Sequence, residues 1–149
     1  MKKFMVILIF YPIFLFSGVF EHLIDKDTKY LFQHNFRCHN GICITSEKNI
    51  FDNEIMDNSV KVVKTFIDHE EKVFKIEIEL SIVAEKSEAF FDAIKKSADN
   101  SGKLDYKLHL FNDKYGNHIL IDIISKKRKD DYIQHLSKIY YKTMKSYKN

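Results

Sequence analysis

Two cysteines, a few histidines and acids, and one dense basic run are the residues of this 149-residue chain whose types and spacing could do chemistry. Cys38 and Cys43 flank His39-Asn40-Gly41-Ile42. Asn-Gly is the preferred loop of a type I′ hairpin, because both central residues need positive φ. With Asn40-Gly41 as that loop, His39 opposes Ile42, and Cys38 faces Cys43 at a non-hydrogen-bonded position where side chains stand closest. Opposed sulfurs there reach disulfide distance, and the spacing predicts a Cys38–Cys43 disulfide. The alternatives are free, structurally idle thiols and a metal site of His34, Cys38, His39 and Cys43. Its spacing matches no standard zinc pattern, so neither a metal nor another cofactor is expected.

Catalytic motifs fare worse. His69-Glu70 opens like a zincin motif, but Val73 stands where the second histidine is needed. The chain carries no Gly-x-Ser-x-Gly elbow, no phosphate loop and no Ser-x-x-Lys. Glu70-Glu71 and Asp130-Asp131 are paired carboxylates, but one pair falls in a predicted turn and the other at a predicted helix start, where acids are common anyway. One constellation merits a test for proton transfer. Lys107, His109, His118 and Asp122 share one face of a predicted hairpin. A roof formed by the N-terminal helix or by residues 46–59 would turn that face into a polar pocket. Without a roof it is a solvated face with one cross-strand ion pair, Lys107 to Asp122.

Two further groups are candidates for contact rather than catalysis. Lys126, Lys127, Arg128 and Lys129 form a basic run, read either as a site for anionic lipid or as a solvated loop before a helix capped by Asp130. Tyr132, Tyr141 and Tyr147 lie on that helix and form a candidate surface for a protein partner.

The elements that must position these residues follow from periodicity. A helix is expected over residues 21–33, followed by the cysteine hairpin. Strands are expected at 60–67 and 74–82, the second with Phe74, Ile76, Ile78, Leu80 and Ile82 in alternation. Asp68 opposite Lys72 would pair Phe66 with Phe74, Lys64 with Ile76, Val62 with Ile78 and Val60 with Leu80. A helix from Ser87, its N-cap, to Ala98 buries Phe90, Phe91, Ile94 and Ala98. Strands 104–111 and 118–125 pair with Asn112 opposite Asn117. A last helix, 130–147, has Ile133, Leu136, Tyr140 and Met144 as its apolar stripe. Two hairpins, each followed by a helix, define an α+β fold, an antiparallel sheet with helices packed on one face.

The N-terminus sets the expected compartment. Lys2-Lys3 precede thirteen uncharged residues, Phe4 to Phe16, as in a secretory signal. Counted to Phe20 the stretch is long enough for a short anchor. Residues 1–20 are therefore read as a signal peptide or an uncleaved anchor, and residues 21–149 as one exported domain, periplasmic or extracellular. Membrane contact is expected only through residues 4–20, if they are retained. Nucleic acid is not expected as a partner. The net charge is only +3, and 22 of the 24 basic residues are lysine rather than phosphate-clamping arginine. The leading functional expectation is an exported, non-catalytic binding or accessory domain acting through a protein partner, with a toxin inhibitor or immunity protein as one variant. The alternatives are a carrier or sensor of an apolar ligand and an enzyme using His109, His118 and Asp122.

Overall fold

A computed structural model describes residues 20–46, 60–97 and 102–147. The expected leader within 1–19, the proposed roof within 47–59, and Ala98 lie outside these residues. A 3₁₀ turn, Glu21–Leu23, and helix α1, Thr28–Gln33, lead into strands β1, Arg37–His39, and β2, Ile42–Thr45. Strands β3, Val60–Ile67, and β4, Val73–Leu80, precede helix α2, Ala84–Ser97. Strands β5, Leu104–Asp113, and β6, Gly116–Ser125, precede helix α3, Lys126–Ser146. Every strand pairing is antiparallel, and the six strands form one sheet in the order β1-β2-β3-β4-β6-β5. The class is α+β.

The cysteine hairpin follows the turn chemistry. Asn40 and Gly41 both have positive φ, Cys38 pairs with Cys43, and the two sulfurs are bonded. The hairpin joins the main sheet through β3, where Cys43 opposes Thr65. Pairing of β5 with β6 also follows parity, from Asn112 opposite Asn117 to Leu104 opposite Ser125.

The β3–β4 register departs from expectation over its middle. Asp68 still hydrogen-bonds to Lys72 across the turn and Val60 still opposes Leu80, but Phe66 opposes Lys75, Lys64 opposes Glu77 and Val62 opposes Glu79. One extra residue on each strand, Phe74 and then Lys61, shifts the register and shifts it back. The reason lies in Lys64. Simple parity would place its ammonium in the core, at the cost of burying a charge. The bulge turns Val63, Thr65 and Ile67 inward instead, and Lys64 outward to Glu77 at 3.2 Å.

The core lies on one face of the sheet. Val63, Val73, Ile76, Ile78, Ile121 and Ile123 are buried there beneath Phe20, Leu23, Leu31 and Phe36, with Phe90 and Phe91 of α2 packed against them. The expected single helix over 21–33 is broken. Asp25 takes positive φ, and the backbone of 25–26 exchanges hydrogen bonds with Val73, so pairing to β4 outcompetes continuous helix. Asp27 then caps α1 by accepting from the Tyr30 N–H. Ser87 is not an N-cap; α2 starts three residues earlier, and the buried Ser87 hydroxyl donates to the Ala84 carbonyl.

The last helix is the largest correction. It begins at Lys126, capped by Ser125 rather than Asp130, so the basic run is its first turn and not a loop. No residue of α3 is buried, and the expected core stripe of Ile133, Leu136, Tyr140 and Met144 is exposed. Helix α3 therefore does not share the core face with α1 and α2. Among the described residues the sheet ring against it is Phe74, turned out of the core and in contact with Tyr132.

Candidate functional site

The face opposite the core carries a charge ladder built by strand order. Pairing of β4 with β6 places Glu77 directly beside Asp122, two like charges that repel unless cations intervene. Lys75 bridges them, 3.0 Å from Asp122 Oδ2 and 3.5 Å from Glu77 Oε2. Lys64 holds Glu77 from β3, and His109 meets Asp122 Oδ2 at 3.2 Å from β5. Lys107 does stand opposite Asp122, but Asp122 takes its ion pair from Lys75 and a hydrogen-bond contact from His109 rather than pairing with Lys107. Asp122 is buried, and its Oδ1 accepts no hydrogen bond from the described residues.

His118 belongs to a second cluster. Its Nδ1 meets Glu79 at 3.1 Å and its Nε2 meets Asp113 at 3.0 Å, while its ring stacks on Phe111. Both acceptors favour the doubly protonated ring, so hydrogen bonds to Glu79 and then Asp113 raise the His118 pKa above its ordinary value. Burial would push Glu79 up, but hydrogen bonds from Lys61 and His118 outweigh it and hold the carboxyl below its usual range. Asp113 is lowered first by the Tyr115 backbone N–H, with His118 adding to it. The sequence-derived four residues thus share a face but divide between two clusters: His109 with Asp122, and His118 with Glu79 and Asp113.

An open groove of about 740 Å³ lies at this end of the sheet, between the β5–β6 hairpin and the start of α2. His118, Glu79 and Lys61 line it together with Leu110, Phe111 and Val83; His109 and Asp122 do not. It is not an enclosed space between sheet and helices of the kind an apolar-ligand carrier was expected to use.

The basic run has an internal task that sequence reading missed. Arg128 donates to Asp25, to Asp68 at 2.8 Å and to Glu70 at 3.1 Å, tying the start of α3 to the β3–β4 turn and to the N-terminal segment. Burial opposes its charge, but those three carboxylates prevail and raise its pKa further. Lys126 pairs with Asp105 at 3.3 Å. Aromatic stacking completes the joint, with His69 of the turn against His135 and Tyr132 of α3. Nothing in the local sequence around Arg128 signals these partners, which lie 58 to 103 positions away.

Beyond this joint α3 is exposed. Tyr132 is part of the joint, whereas Tyr141 and Tyr147 are 72% and 82% exposed. Ile133, Leu136, Ile139, Tyr140 and Met144 are exposed with them. Among the described residues no helix is long and apolar enough to cross a membrane, α3 included. The chain matches no known protein family, no curated protein and no solved structure.

Proposed function

We propose that the protein is an exported, non-catalytic binding domain that works through contact with a protein partner. One observation carries this reading: α3 spends 21 residues on an amphipathic helix and buries none of them. Ile, Leu, Met and Tyr side chains held in water along one helix are unfavourable for a monomer and mark a surface meant to be covered. The basic-then-apolar N-terminal sequence supports export, and the Cys38–Cys43 disulfide is compatible with an oxidising compartment.

Site-specific photo-crosslinking of the full chain in its own cells tests the reading. A photoreactive residue in place of Tyr140 should yield a discrete protein adduct, identified by mass spectrometry. The same residue in place of Lys107, on the charged sheet face, should yield none. Absence of any protein adduct from position 140 would remove the reading.

A further inference from the structure

From Ile133 onward, α3 repeats on a seven-residue period. Ile133, Tyr140 and Tyr147 recur at every seventh position, with Leu136 and Thr143 three residues after the first two. These are the a and d positions of a coiled-coil seam. The flanking e and g positions are Ser137, Ile139, Met144 and Ser146, so no charge borders the seam. Lys138, Lys142 and Lys145 occupy f, c and f, on the side of the helix turned away from it. In the first turn, Lys126 and Arg128 are already paired with acids of their own chain. From Ile133 onward this lysine-rich helix keeps its charges off the seam, so that stretch can meet a surface of its own charge without repulsion.

We infer that α3 pairs with α3 of a second copy of this chain, stripe against stripe; this rests on the reading of α3 as a protein-binding surface. The area suffices. Ile133, Leu136, Ile139, Tyr140, Met144 and Tyr147 are 42–82% exposed. Covering them would remove roughly 600 Å² per chain, or about 1,200 Å² for the pair, the lower edge of a stable interface. An anionic membrane surface fits the charge layout less well. Lysines that reach lipid phosphates border an apolar face on both sides, whereas Lys138 and Lys145 lie across from it and Lys142 flanks one edge, beside Ile139.

Tyr140 stands midway along the stripe, so it meets its own counterpart whether the two helices run parallel or antiparallel. Because Cys38 and Cys43 are bonded to each other, a single added thiol reports on contact between copies. In the full chain, Tyr140→Cys should form a disulfide-linked dimer on mild oxidation, and Lys142→Cys should not. In sedimentation equilibrium the wild type should have twice the mass of one chain, and Leu136→Glu with Tyr140→Glu should return it to the mass of one chain with the sheet still folded. A wild type that sediments as a single chain at micromolar concentration overturns the inference. In that event a position-140 adduct with a different protein would retain the binding reading, and association with phosphatidylglycerol vesicles would favour lipid instead.

Discussion

His118 concentrates the titration behaviour of the sheet's groove end in one ring. Its pKa is raised above the ordinary 6.5 by the hydrogen bonds to Glu79 and Asp113. A raised histidine contributes stability that is fully present below its unfolded value and lost as pH climbs through the folded one. Glu79 and Asp113, both lowered, contribute above their ordinary values of 4.5 and 3.8 and lose that contribution as pH falls through their folded ones. The cluster is therefore most stabilising between pH 4.5 and 6.5. Proton NMR of the His118 ring should place its midpoint above 6.5, and His118→Gln should remove the loss of stability on going from mildly acid to alkaline pH. A midpoint below 6.5 would show that the two carboxylates do not hold the ring in solution. Sequence alone placed His118 on the correct face, through the parity of the β5–β6 hairpin. It could not supply Glu79, 39 positions away, because nothing local specifies that β4 lies beside β6.

At the scale of elements, local chemistry was legible and long-range compromise was not. Asn40-Gly41 dictates its hairpin and disulfide, and the β5–β6 register follows from one uninterrupted alternation. The β3–β4 pair defeats parity because two bulges cancel, and the alternation Phe74, Ile76, Ile78 conceals the first of them. Val73 takes the inward place and Phe74 turns out to Tyr132. This separates two residues that simple alternation treats alike. Ile76→Asp should prevent folding, since it sets an unpaired carboxylate in a fully buried position. Phe74→Asp should leave the chain folded and cost about 1–2 kcal/mol in urea unfolding, as expected for a half-buried contact. Equal loss of structure in both variants would mean that Phe74 faces the core and that the bulge is absent. The same tertiary override divides the expected N-terminal helix at Asp25, where pairing to Val73 outcompetes helix continuation.

For the molecule as a whole, α3 belongs to the fold only at its root. Arg128 clasps Asp25, Asp68 and Glu70, and Tyr132 and His135 close against Phe74 and His69, but from Ile133 the apolar residues face water. Amphipathic periodicity in the sequence indicated a helix with a face to cover. It could not show that the described residues leave the face uncovered, because α2 and the N-terminal elements already fill the core face of the sheet. Stability of the sheet and occupancy of the stripe should therefore be separable. A chain ending after Ser137 keeps the Arg128 clasp and the aromatic joint and, among the described residues, discards only exposed side chains, so the monomer should lose less than about 1 kcal/mol. In the 149-residue chain, pairing through α3 adds a concentration-dependent term, because association stabilises the folded state by mass action. Its melting temperature should rise with protein concentration, while that of the shortened chain should not. Circular dichroism melts of both chains across a hundred-fold range of concentration read the difference directly. If the shortened chain failed to fold even when dilute, the distal half of α3 would be part of the core after all, and its exposed stripe would no longer mark a binding surface.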